Sequence, residues 1–259
     1  MTNEIIITYV YHSCYTVEIG DYFIIFDYYK GILNIPDDKK VIFISSHGHD
    51  DHYTSDILNV PNMEDKTYIL STDIGKLHTN ENVIYIKDEK LSMDMLKSLY
   101  SSDNVHFVAP NKTYHVNIAN GKVLNIKTFS STDQGISILL FVEGISIFHA
   151  GDLNYWAWPD NDEATDKEEY DLYMAEIDKI KREYIDIAFV PVDPRLEENY
   201  YKGADIFAEE CRPQVLFPLH FGDHPEITQK FYKAYRYEST SIRPIFESNQ
   251  KTVIEIESR

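Results

Sequence analysis

An α+β architecture, with helices packed over one or two β-sheets, is what the sequence predicts, and three observations predict it. Short β-branched and aromatic runs broken by turn signals fill the first 60 residues, a second strand-rich block runs from 123 to 149, and after an acidic stretch strand and helix alternate to the end. In the first block the runs are Ile5–Val10, then Tyr15–Ile19 and Tyr22–Tyr29 on either side of Gly20-Asp21, then Val41–Ser46; together they read as a hairpin-rich sheet edge. Residues 68–104 mix short apolar runs such as Val83–Ile86 with a weakly helical piece, Leu91–Tyr100. The second block holds Val123–Phe129, Ile136–Glu143, a turn at Gly144, and Ile145–His149, which ends in Ala150-Gly151-Asp152. It mirrors the first.

The third segment opens on the acidic run Asp160–Asp171, where Thr165 and Glu168 form a capping box ahead of a helix. Tyr173, Ile177, Ile180 and Tyr184 recur at helical spacing and mark its buried face. The acidic residues read as a solvated outer face rather than a cation store. A strand at Ile185–Val192 follows, then a short helix near Ala204–Cys211 stopped by Pro213, a strand Val215–His220, a helix after Pro225 and a closing strand Thr252–Ile256. No solenoid repeat, low-complexity tract or linker interrupts the chain, so residues 1–259 read as one domain.

Composition narrows the class. The chain of 259 residues is 43% hydrophobic and 26% charged, which excludes disorder and collagen-like structure. Its 24 cationic and 43 acidic side chains give a net charge of −19, a field that repels polyanions, so a small-molecule substrate is expected and nucleic acid is not. The opening MTNEIIITYV has no cationic start of a signal peptide, and no run approaches membrane-spanning length. Cys14 and Cys211 are too few for a disulfide scaffold and suit a reducing compartment. A cytoplasmic protein is expected; oligomeric state is not legible.

The chemistry lies in Ser46-His47-Gly48-His49-Asp50-Asp51-His52, directly after the strand Val41–Ser46. If the chain stays extended, His47 and His49 point to one face and share an ion. Asp51 and His52 are neighbours, so they point apart and can address a second ion once the chain turns near Ser55. Imidazoles with a carboxylate suit zinc or a similar first-row ion such as Mn2+ or Fe2+, whereas calcium or magnesium would call for mostly oxygen donors. Ligands so close in sequence fill only part of a coordination shell. Asp152, after His149-Ala150-Gly151, and His220, at the end of Val215–Leu219, are the candidates to complete it.

These residues resemble the metallo-β-lactamase superfamily of hydrolases, whose hallmark His-x-His-x-Asp-His stands here as His47, His49, Asp51 and His52. The resemblance extends to Asp27 at an early strand end, to the later Gly-Asp at Asp152 and to a final strand-end histidine at His220. Within the superfamily the chain is similar to the predicted metal-dependent hydrolases near the ascorbate-6-phosphate lactonase type. The matching pieces are His12-Ser13, Phe26-Asp27-Tyr28-Tyr29-Lys30-Gly31, Ser131-Thr132-Asp133, His149-Ala150-Gly151-Asp152-Leu153-Asn154 and Pro191-Val192-Asp193-Pro194-Arg195. The resemblance implies a four-layer αββα sandwich, one or two zinc ions with Asp152 bridging them, and hydrolysis of a small ester, lactone or phosphoester by metal-activated water. A nuclease or phosphodiesterase of the same fold and a non-catalytic metal-binding member are the alternatives.

One departure stands out. The family places a further histidine before the Gly-Asp, and this chain reads Phe129-Ser-Ser-Thr-Asp-Gln-Gly135 there. Asp133 as an oxygen ligand, a vacant position, or His115 swinging in from an earlier strand are the three ways to meet it, in that order. Asp27 is expected to orient a ligating imidazole, or else to be a turn residue. Asp51, His149 and His12 are the candidates for acid–base work, with packing as the alternative for the two histidines. Arg195 either holds a substrate carboxylate or phosphate or pairs with Asp193. Cys14 reads as a buried strand residue, Trp156 and Trp158 as cover for the core or the pocket rim, and His224 carries no role.

Overall fold

The computed structural model describes residues 2–74, 78–80, 83–85, 102–118 and 122–259. The strands are β1 (Thr2–Tyr11), β2 (Cys14–Ile19), β3 (Tyr22–Phe26), β4 (Lys40–Ser45), β5 (Thr67–Ser71), β6 (His78–Asn80), β7 (Val83–Tyr85), β8 (Val105–Val108), β9 (Thr113–Asn117) and β10 (Val123–Ser130). They continue with β11 (Ile136–Val142), β12 (Ile145–His149), β13 (Ile187–Pro191), β14 (Val215–Leu219), β15 (Ser241–Ile242) and β16 (Lys251–Glu257). The helices are α1 (Glu163–Ile180), α2 (Lys202–Cys211) and α3 (Glu226–Ala234).

Two seven-stranded sheets carry the fold, ordered β16-β1-β2-β3-β4-β5-β8 and β15-β14-β13-β12-β11-β10-β9. Each is antiparallel in one half and parallel in the other: β3, β4, β5 and β8 run parallel in the first sheet, β12 to β15 in the second. The likeness of the two strand blocks in sequence is therefore a likeness of sheet halves. The first block is not a sheet edge. Tyr22-Phe-Ile-Ile-Phe26 is buried on both faces, as a central parallel strand must be, and β4 and β5 lie beyond it.

The inner faces meet in one core, where Ile5, Ile7 and Val17 of the first sheet share a cluster with Ile126, Ile138, Phe189 and Phe217 of the second. Fully burying such a side chain contributes about 1.5–3 kcal/mol relative to leaving it in water. The outer face of the second sheet is covered by the helices: Leu139, Phe148 and Val190 pack with Tyr173, Ile177 and Ile180 of α1, Phe207 of α2 and Phe231 of α3. Over the first sheet, Phe43, Tyr68 and Leu70 pack with Ile57 and Leu58 of the short 3-10 turn Ser55–Asn59. The mixed α/β architecture with two central sheets is the one the sequence implies.

Local details depart from it. The cap of α1 is Asp162, whose carboxylate accepts the Thr165 amide; Thr165 sits within the first turn and is not the cap. The helix ends at Ile180, so Tyr184 falls beyond it and is 40% exposed, while Glu176 joins the buried face. The helical piece at Leu91–Tyr100 lies outside the described residues.

Candidate metal centre

One rim of the sandwich gathers the turn after β1, the loop after β4, the β10–β11 loop and the ends of β12 and β14. Three residues there, His12, Asp27 and His220, have φ of 54°, 45° and 66°. Non-glycine residues in the left-handed region cost about 1–3 kcal/mol each and persist where the surroundings over-determine them. Gly151, at φ 54°, ends β12 so close to the first sheet that an added Cβ would stand 2.7 Å from Ser46 Cβ. No larger residue fits.

The rim forms two donor groups. His47, His49, Asp133 and Asp152 place one potential ligand atom each within 4.8 Å of one another, and so do His12, Asp51, His52 and His220. His47 Nε2 lies 3.4 Å from Asp152 Oδ2, and Asp152 Oδ1 lies 3.0 Å from His52 Nε2 and 3.2 Å from His220 Nε2. Asp152 thus touches both groups. Asp133 Oδ2 stands 3.6 Å from His49 Nδ1, in the group from which the family histidine is missing, and His12 Nε2 stands 3.4 Å from Asp51 Oδ2. His115 is elsewhere, its Nδ1 2.6 Å from Asn125 Oδ1 on the exposed face of β9 and β10. β4 ends at Ser45, so His47 and His49 converge through a loop and not through strand periodicity.

Four imidazole nitrogens, Nε2 of His12, His47, His52 and His220, together with Asp152 Oδ1, are buried and have no partner in hydrogen-bond geometry. Buried polar atoms are normally satisfied, and orphans that face one another are what a cation would take up. The donor set, rich in imidazole with carboxylates between, fits a first-row divalent ion.

The opposite ring nitrogens of His47, His52 and His220 are held. His52 Nδ1 donates to Asp27 Oδ2 at 2.8 Å and His220 Nδ1 to Asp193 Oδ2 at 2.9 Å, which leaves each Nε2 facing the cluster. Asp27 also accepts the Ser46 amide and hydroxyl, both at 2.7 Å; with that proton committed, Ser46 Oγ accepts from His47 Nδ1 at 3.0 Å. One carboxylate therefore orients two imidazoles. Asp73 Oδ2 accepts from Gly48 N at 2.7 Å and from Gln134 Nε2 at 2.9 Å, tying the His47–His49 loop to the Asp133 loop.

Burial opposes charge on His220, but Asp152 and Asp193 outweigh it and raise its pKa to about 8. His52 is likewise raised well above the ordinary value, burial losing to Asp152 and Asp27. Burial dominates at His12 and lowers it. Asp193, despite burial, is lowered to about 2 by His220 and Arg195.

His149 does not reach the cleft. It is wholly buried, stacked on Phe26 at 4.9 Å; its Nε2–H donates to the Ser13 carbonyl and its Nδ1 accepts from Gly151 N, so both nitrogens are spent on the fold and a proton-transfer role is not one this placement serves. Arg195 donates to Asp193 through Nε and Nη2, the pairing alternative, yet it also lines the cleft beside Trp156 and Trp158. Cys14 is buried with its thiol pKa pushed well up by desolvation, which removes any nucleophilic reading. The roles of Ser46, Asp73 and Glu169, the last also lining the cleft, were not read from the sequence, and Asp193 was read only as a partner for Arg195 and not for His220. Only Asp193 carried a signal, two residues before Arg195.

The comparisons with known proteins agree. The family described as a β-lactamase superfamily domain matches residues 6–220. The metal-dependent hydrolase YtkL of Bacillus subtilis is 27% identical over 233 residues, covering 86% of this chain and 88% of its own. Igni18, a metallo hydrolase from the archaeon Ignicoccus hospitalis, superposes with a TM-score of 0.60 at 17% identity over 98% of this chain and all of that one. CmlA, a diiron β-hydroxylase from Streptomyces venezuelae, reaches 0.57 at 10% identity over 97% of this chain and 54% of its own, so the fold alone does not decide the reaction. With the His-x-His-x-Asp-His loop, its converging partners and a family match over most of its length, this chain belongs to the metallo-β-lactamase superfamily and is a metal-dependent hydrolase.

Proposed function

We propose that the protein hydrolyses a small ester, lactone or phosphoester, using zinc held by the two donor groups, with Asp133 standing in for the missing histidine and Asp152 shared between the groups. The observation that carries this is the convergence of five orphaned buried donor atoms on one rim. A divalent ion held by these residues would supply a Lewis acid able to bring the pKa of water from about 15.7 toward about 7, and so hydroxide at neutral pH. The side chains prepare that chemistry. Ser46, Asp27 and Asp193 hold the Nδ1 protons of His47, His52 and His220 respectively, which keeps the Nε2 lone pairs on the cluster. Asp51, which lines the cleft with its Oδ2 3.4 Å from His12 Nε2, is the carboxylate we assign to proton transfer, with His12 left among the zinc donors. His49 in place of a carboxylate supports hydrolysis over redox chemistry at an oxygen-rich iron pair. The lactone idea rests on family resemblance. Residues 1–259 are read as one domain, and the two free thiols support a cytoplasmic location.

Elemental analysis of the purified protein tests the reading, with a hydrolysis screen over lactones, thioesters and phosphodiesters. Near two zinc ions per chain, a sharp fall in His47→Ala, and turnover abolished by chelation are expected. A metal-free native protein, or turnover that survives chelation, overturns it.

A further inference from the structure

The cleft beside the donor groups encloses about 380 Å³, and its wall away from them is built by Trp156, Trp158, Arg195, Glu169 and Thr132. Arg195 is the cation of that wall. Its guanidinium is fixed, not free: Nε lies 2.9 Å and Nη2 2.6 Å from Asp193 Oδ2, and Asp193 is itself fully buried and also accepts the Arg195 amide at 2.8 Å. One edge of the fork is spent, and the side chain is still 57% exposed. The guanidinium carbon stands 5.6 Å from the Trp158 ring centre and 6.0 Å from that of Trp156, and the two indoles are stacked at 5.7 Å with 8° between their planes. Trp156 donates its Nε1–H to the Asp152 carbonyl at 3.2 Å, which fixes the flat wall to the donor groups. Arg195 Nη2 lies 3.3 Å from His220 Nδ1, so a single imidazole ring separates the cation from the cluster.

We propose that this wall selects the substrate: a small anion whose carboxylate or phosphate docks on Arg195, whose flat apolar body lies along the indoles, and whose reactive bond sits only a few bonds from the charge. It rests on the hydrolase reading for the reactive bond alone. An Arg that merely balanced Asp193 would not need an exposed edge facing the cleft, and planar forked donors are the usual receptors for carboxylate and phosphate. The overall charge of −19 sharpens the point, because an anion that enters this cleft needs a local cation to receive it. Glu169 on the same wall disfavours a second anionic group, so a single carboxylate or phosphate headgroup on a short body is the class that fits.

The chain has two tryptophans and both stand in this wall, so intrinsic fluorescence reads the subsite directly and without turnover. Zinc-loaded full-length protein is titrated with benzoate, phenyl phosphate and neutral benzyl alcohol. The anions are expected to change the emission saturably with affinities about tenfold or more above the alcohol, and the better of the two identifies the headgroup. Arg195→Met should erase that preference, and Arg195→Lys should keep part of it; melting and zinc content of both variants are measured alongside, and if Arg195→Met sheds zinc the lysine variant carries the comparison. In the matched esters phenyl acetate and 4-carboxyphenyl acetate, kcat/KM should favour the acid about tenfold in the native protein and not at all in Arg195→Met. Equal affinity for anion and alcohol, or an anion preference that survives in Arg195→Met or is undiminished in Arg195→Lys, overturns the proposal. Saturable, Arg195-dependent anion binding without turnover of any ester, lactone or phosphoester leaves the subsite standing and sinks the proposed substrate class; turnover without anion preference does the reverse.

Discussion

The two donor groups meet at Asp152 but differ in chemistry. His12, Asp51, His52 and His220 bring three imidazoles and one carboxylate; His47, His49, Asp133 and Asp152 bring two imidazoles and two carboxylates. In each group two members are buried, His52 and His220 in the first and His47 and Asp152 in the second, while Asp51 at 45%, His49 at 39% and Asp133 at 46% exposed face the cleft. The groups therefore differ in donors and not in shielding: an imidazole-rich set favours zinc, whereas an oxygen-richer set is harder in character. Asp133, where the resemblance implies a histidine, is what separates them. The lesson is that two halves of one rim can differ in donor chemistry at equal burial.

The largest test of this asymmetry is Asp152→Asn. It touches both groups, so both ions should be lost, with affinity falling by more than the roughly 100-fold that removal of an orienting partner costs; retention of one tightly held ion would show that Asp152 is not shared. Next, His220→Ala should strip the imidazole-rich group and His49→Ala only the carboxylate-rich one. Calorimetric zinc titration should resolve a lost tight step in the first variant and a lost weak step in the second, and identical profiles would erase the distinction. A smaller gain is expected from Asp133→His, which should tighten zinc at the carboxylate-rich group about tenfold and lower its tolerance for Mn2+. Competition dialysis with the two metals reads it.

The mildest effect concerns pH. In the metal-free protein the raised pKa of His220, about 8 against an ordinary 6.5, contributes stability that is complete below pH 6.5 and lost as pH rises through about 8. Zinc needs the same imidazole neutral, so the rise in melting temperature on adding zinc should grow from pH 6.5 to above pH 8. A rise that shrinks over that interval would contradict the protonated, carboxylate-held state of this residue.

Much of the site was legible because its chemistry is packed into short motifs. His47, His49, Asp51 and His52 fall within six residues, and a strand-end loop that dense in donors has few other uses. Asp152 and His220 were found because each closes an apolar run. His12 was read as an acid–base or packing residue, yet the structure sets it among donors, since its left-handed backbone turns the ring onto His220 at 4.1 Å. Asp73 and Ser46 carried no signal, because a hydrogen bond between loops leaves no periodicity. The capping aspartate of α1 was displaced by three residues because Asp162 and Thr165 both suit a cap, and only the helix start decides between them.

By itself the sequence determined the strand blocks, the donor-rich loop and the acidic composition, all of which rest on neighbours a few residues apart. Which donors meet, that Asp133 and not His115 faces His49, and that Arg195 stands against two indoles were decided only by the tertiary structure. The reason is physical: those distances are set by the packing of two sheets whose rims bring together residues from opposite ends of the chain, and no local pattern encodes where two rims close.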